Sequence, residues 1–203
     1  MAYSSIHVIV CLIVLVSAPV IISGCSHSNK EDKPVELLFK VNPSLLSEKI
    51  TYEKYGFSFS PPKSCLPLTK EMSEKVLKTI EKEYAVSDTS FVKPIQFFLD
   101  AGQQIICVVS SLPKLNAGQD QIARYESAVM GKIGNDKTKQ GIFSHGGFVI
   151  NQMRIVTNEI VIFKLFVAQK SYDSFQIDYI VPLKFYKMNE EAIESSIGSL
   201  TKK

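Results

Sequence analysis

Few groups in this sequence are able to attack, ligate or shuttle protons. The chain carries four cysteines, Cys11, Cys25, Cys65 and Cys107, and three histidines, His7, His27 and His145. No C-x-x-C or H-x-x-x-H spacing occurs, so a zinc site is not expected. No D-x-D-x-D-G loop occurs either, which removes the usual calcium pattern. A nucleophilic thiol, Cys65 or Cys107, would need His145 within hydrogen-bond reach and a third group to orient the ring. Nothing in the local sequence supplies that group. His145-Gly146-Gly147-Phe148 has the glycine-rich form that builds an oxyanion hole. Acyl chemistry on it would also need a G-x-S-x-G elbow and a separate base. Neither is present, and a Gly-Gly bulge or turn at the start of a strand is the expected role. No catalytic residue, metal ligand or cofactor is therefore expected.

Cys25 has a different setting. Ile6 to Ile22 is an apolar run of 17 residues, interrupted by His7, Ser17 and Pro19, and Ser23-Gly24-Cys25 follows it. Small residues after such a run are the usual ending of an export signal. A cysteine directly after that ending resembles the lipobox of bacterial lipoproteins. The resemblance implies cleavage between Gly24 and Cys25 and a diacylglycerol on the Cys25 thiol, with acylation of the new amino group as a further step. The opening Met1-Ala2-Tyr3-Ser4-Ser5 lacks the positive charge that signals usually carry. The alternative is an uncleaved membrane helix, for which the run is short and Pro19 unfavourable. Two acyl chains anchor a protein stably where one does not. Ser26, rather than Asp, after the cysteine resembles outer-membrane sorting, facing the periplasm, in a Gram-negative host.

Export would leave Cys65 and Cys107 as the remaining thiols, in an oxidising compartment. They can pair as a disulfide if their strands are neighbours and their α-carbons come within about 7 Å. The alternative is two separate buried thiols, which the position of Cys107 between Ile106 and Val108 favours.

Removing 24 of the 203 residues leaves enough chain for one domain. Charged residues are 21% and hydrophobic residues 45%, a globular composition. The net charge of +3 falls entirely on the mature part. It is too small, with no aromatic-interleaved basic patch, to argue for nucleic acid. Residues 25–34 read as the lipidated cysteine and a polar tether ending in Pro34, and residues 35–203 as a single domain.

The elements that would position any site follow from periodicity. A helix is expected from Thr69 to Tyr84, with Thr69 as N-cap and Met72, Val76, Ile80 and Tyr84 as its apolar stripe. A second is expected from Ala117 to Ile133, with Asn116 and Gln119 as a capping box and Gly134 at its end. A third is expected from Glu190 to about Leu200, capped by Asn189, with Met188 packing on Ile193. Strands are expected around Tyr55–Ser60, at Ile95–Asp100 and Gln103–Ser111 as a hairpin, and at Phe143–Thr157, Ile160–Ala168 and Phe175–Val181 as a meander. Ile160–Ala168 carries apolar residues on both faces, as a central strand covered on two sides would. Gly134–Gly141 reads as a solvated loop and Lys202-Lys203 as a frayed end.

This order, with Tyr55-Gly56-Phe57-Ser58-Phe59-Ser60-Pro61-Pro62 at the entry and residues 179–200 at the exit, resembles the PsbP-like fold. The resemblance spans about residues 50–200. It implies an α+β domain, a mostly antiparallel sheet of about six strands with helices on both faces. It also implies a binding or accessory role, mostly non-enzymatic, and brings no catalytic residue with it. The expectation is a lipid-anchored, non-catalytic envelope protein, partnered by the membrane through Cys25 and by an envelope protein or small ligand. The competing readings are an envelope hydrolase using Cys65 or His145, and a structural subunit of a larger complex.

Overall fold

The computed structural model describes residues 34–84, 92–112 and 121–203. The signal segment, Gly24, Cys25, the tether up to Lys33 and the Asn116–Gln119 capping box lie outside these described residues. In chain order the elements are β1 (Val35–Glu36), β2 (Ile50–Tyr52), β3 (Phe57–Phe59), β4 (Leu66–Pro67), α1 (Lys70–Tyr84), β5 (Lys93–Asp100) and β6 (Ile105–Ser111). They continue with α2 (Gln121–Ile133), β7 (Thr138–His145), β8 (Phe148–Val156), β9 (Ile160–Val167), β10 (Phe175–Pro182), α3 (Leu183–Gly198) and β11 (Thr201–Lys202).

The main sheet has eight strands rather than about six, in the order β1-β7-β8-β9-β10-β6-β5-β4. All its pairings are antiparallel except β1 on β7, which is parallel. β9 and β10 lie at its centre, and β9 is buried along nearly its whole length, as apolar residues on both faces require. Val161, Phe163, Leu165 and Val167 join a large core with Ile193, Ile197 and Leu200 of the C-terminal segment. Ile162 and Phe166 join a second core with Met153, Ile155 and Val129 of α2.

Four expectations about the elements are corrected. The stretch 143–157 is not one strand, because Gly146 and Gly147 take φ of +58° and +84° and turn the chain. They form a two-residue hairpin between His145 and Phe148, which face each other in register. Thr138–His145 is consequently an edge-side strand and not a loop. α3 starts at Leu183, seven residues before the expected start at Glu190. Asn189 is inside it, its side-chain amide donating to the Phe185 carbonyl at 2.9 Å, and Met188 is 75% exposed rather than packed on Ile193. The C-terminus is not frayed: Thr201 and Lys202 pair with β3, and the Lys203 amide donates to the Gly56 carbonyl.

Other expectations hold. The Thr69 hydroxyl accepts from the Met72 amide at 3.3 Å, capping α1. Met72 is nevertheless exposed and Val76 only half-buried, so the start of the α1 stripe does not enter either core. Gly134 follows α2 with φ of +99°. The 95–111 hairpin forms, with Asp100 Oδ1 accepting from the amides of Gly102 and Gln103.

The entry strand goes elsewhere than the main sheet. β3 is the middle of a small sheet, β11-β3-β2, laid on the first core. Phe57 stacks on Phe175 at 3.8 Å between ring centroids. The serines of α3 explain how that helix fits so closely. Ser196 bridges the Tyr179 hydroxyl at 2.8 Å and the Ser60 carbonyl at 2.7 Å, and Ser195 accepts from the Asn42 amide at 3.0 Å. Small hydroxyl side chains keep the backbones near one another while satisfying buried polar groups.

Candidate functional site

His145 is remote from Cys107, and the two thiols are not joined. Cys65 and Cys107 are both buried, and the structure holds them as two free thiols with no bond between them. Burial pushes the Cys65 thiol up to about 11, and burial also raises Cys107 well above its ordinary value. Neither therefore forms an appreciable thiolate near neutral pH. The Cys65 thiol faces the Ile105 carbonyl at 4.0 Å. His145 lies on β7, and β8, β9 and β10 stand between it and the β6 strand that carries Cys107. Four strand spacings amount to about 19 Å, too far for a Cys–His pair. Among the described residues no group of three His, Cys, Asp or Glu is placed to hold a metal ion.

His145 has a structural position instead. Its Nδ1 lies 3.0 Å from the Leu37 carbonyl and its Nε2 lies 3.0 Å from the Gly198 carbonyl. Phe39 meets the ring edge-on at 4.8 Å. The imidazole thus ties the entering N-terminal segment to the end of α3. Two glycines permit that crossing. A Cβ on Gly146 would stand 2.0 Å from the Leu200 carbonyl oxygen, and one on Gly198 would stand 2.5 Å from the Phe39 Cβ. His145-Gly146-Gly147 is therefore a junction of three segments.

Beside that junction the sheet edge carries a groove of about 330 Å³. It is lined at one end by Val35 and Leu37 of the entering segment and by Phe143, the register partner of Val35 on β7, and further along by Gln152, which faces Gly141. Lys139 and Arg154 stand at the other end, directly opposite each other in the β7–β8 register. Like charges in that relation repel. Among the described residues neither makes an ion pair. Arg154 acts electrostatically on Glu190, which Lys187 and Tyr186 hold by hydrogen bonds. Between the cations and Phe143 lies Gly141, whose missing Cβ would meet nothing within 4 Å. The surroundings are also apolar: Val35 is 71% exposed and Leu38 91%.

A second polar cluster sits inside the sheet. Lys164 on β9 faces Asp178 on β10 in register, its Nζ 3.4 Å from both carboxylate oxygens. Gln176 donates to Asp178 at 2.6 Å. Burial raises the Asp178 carboxyl, with Lys164 and the Gln176 hydrogen bond pulling the other way. Among the described residues the Gln176 Oε1 has no hydrogen-bond partner, although the residue is only 1% exposed. Sequence reasoning passed over both clusters. A signal for the second was present, since Lys164 interrupts a strand that is otherwise apolar on both faces.

Comparison with known proteins gives a likeness of fold. No protein-family model matches the chain, and no curated protein matches it. Among solved structures, the chain is similar to the solution structure of cyanobacterial PsbP (CyanoP) from Synechocystis sp. PCC 6803. The identity is 10%, the TM-score 0.47, and the match covers 77% of this chain and 92% of that one.

Proposed function

We propose that this chain is a lipid-anchored, non-catalytic binding or accessory protein of the bacterial envelope. Its domain is a PsbP-like α/β/α sandwich, with α3 over one face of the sheet and α2 over the other. Cleavage before Cys25 and acylation of its thiol hold it to the membrane, in the outer membrane facing the periplasm if the host is Gram-negative. The observation that carries the binding role is the groove at the sheet edge. It lies where the chain enters the fold, and Val35 is ten residues from Cys25. That length of chain reaches about 33 Å at most. The groove therefore works close to the bilayer surface. Its volume falls in the range of small-ligand sites, roughly 300–1,000 Å³.

The test is intact mass spectrometry of protein extracted in detergent from its own host. The expected mass is that of residues 25–203 plus acyl chains. A mass equal to the full chain without lipid would overturn the anchor and return Cys25 to ordinary thiol chemistry.

A further inference from the structure

The edge groove has two unlike ends, and the difference specifies a ligand. At one end Lys139 and Arg154 face each other in register, and neither makes an ion pair among the described residues. Placing two cations opposite one another costs stability unless something anionic lies between them. The arginine fork matches an oxyanion with two parallel N–H donors, and the lysine adds a compact charge. Glu190 feels Arg154 but makes no ion pair with it, and its hydrogen bonds go to Lys187 and Tyr186. At the other end Val35 and Leu37 present apolar surface, next to Phe143, which is 5% exposed and belongs to the first core. Lys139 and Phe143 are four residues apart on one strand face, about 13 Å at strand rise. Gly141 between them leaves the floor open.

From the juxtaposition of this free cation pair with an apolar trough on one strand face, we propose that the groove binds an anionic amphiphile. Its phosphate-type head sits between Lys139 and Arg154, and its hydrocarbon chain runs past Gly141 onto the exposed Val35 and Leu37. The proposal rests on reading the groove as the binding surface, and it names what is bound. The head chemistry is shared by a lipid headgroup and by free phosphate; the trough selects the former.

The test uses the full chain, prepared from its host and held in phosphatidylcholine nanodiscs. Three probes are titrated by calorimetry: dihexanoyl phosphatidic acid, inorganic phosphate and dihexanoyl phosphatidylcholine. The expected result is saturable one-to-one binding of the phosphatidic acid, at least about tenfold tighter than phosphate. Lys139→Gln and Arg154→Gln should each weaken it about tenfold or more. Gly141→Leu, which fills the trough and keeps both cations, should remove the advantage of the phosphatidic acid over phosphate. Equal binding of the phosphatidylcholine probe would overturn the anionic head. Phosphate binding as tightly as the amphiphile would overturn the trough. No change in Lys139→Gln and Arg154→Gln, with thermal unfolding showing both folded, would overturn the site. Intact mass on the same sample reads the anchor separately, so loss of one conclusion leaves the other measurable.

Discussion

Replacing Lys164 by Met tests whether the buried ion pair is held for stability. At 3.4 Å, with an effective dielectric constant of 20, two unit charges attract by about 5 kcal/mol. Removing each ion from water costs several kcal/mol, so the pair as a whole contributes little or nothing. Breaking it is another matter. Lys164→Met leaves a carboxylate with Gln176 as its remaining hydrogen-bond partner, inside a sheet where Asp178 is almost entirely covered. The expected loss is about 3–5 kcal/mol. For a domain of this size that lowers the melting temperature by roughly 6–20 °C. The double variant Lys164→Met/Asp178→Leu removes both charges and fills their space with apolar atoms. It should recover most of the loss and match or exceed the parent. Urea and thermal unfolding of the four proteins in the cycle give the coupling directly. A loss below about 1 kcal/mol in Lys164→Met would refute the reasoning, since the burial of Asp178 would then carry no cost.

Acid should separate the parent from Asp178→Asn in one direction. Burial raises the Asp178 carboxyl above its ordinary 3.8, so the folded state holds that proton more tightly than the unfolded state. The contribution is fully present below 3.8 and is lost as pH rises through the folded value. The parent should therefore gain stability relative to Asp178→Asn on acidification toward pH 3.8; a relative loss there would sink the assignment. His145→Ala removes the ring between the Leu37 and Gly198 carbonyls, and amide exchange should rise over residues 37–42 while the β9 and β10 amides keep their protection. Unchanged exchange in residues 37–42 would mean that the other contacts of that segment suffice. Cys65 and Cys107 should resist iodoacetamide at pH 8 in the folded protein and react after unfolding, because both are buried and raised. Alkylation of the native protein within minutes would contradict their burial.

The centre of the sheet was legible because its strands carry their own instruction. In Ile160–Val167 apolar side chains point to both faces, and the structure covers both. The edges were less legible. β7 reads Thr-Lys-Gln-Gly at its start, and four of its first five residues are exposed. A strand whose side chains meet water has no alternation to display; its pairing with β8 defines it. The same holds for β1, β4 and β11, each two residues long and each fixed by its partner. α3 was misread for a local reason. Asn189 after Met188 has the form of a cap, yet nothing between Leu183 and Met188 breaks a helix. Pro182, with φ of −57° and no amide hydrogen to satisfy, opens it instead.

The site was hidden for a related reason, because both of its ingredients depend on register. Lys139 and Arg154 are fifteen positions apart, and no motif links them. They become opposite neighbours only once the Gly146-Gly147 turn sets the hairpin in phase; a slip of one residue would put the two side chains on opposite faces. The turn is itself held by the crossing of the chain end over Gly146, where a Cβ has no room. Gly146→Ala therefore offers a way to move the site from a distance. It asks a residue with a side chain to hold φ of +58°, and it forces Leu200 away. Positive-φ strain alone costs about 1–3 kcal/mol. If the hairpin answers by shifting register, the cation pair separates and the groove loses its anion end while β9 and β10 stay folded. If it answers by displacing β11 alone, the domain loses stability and the groove keeps its ligand. Nuclear Overhauser contacts between β7 and β8 in that variant distinguish the two, and they decide whether this turn or the sheet behind it sets the geometry of the site.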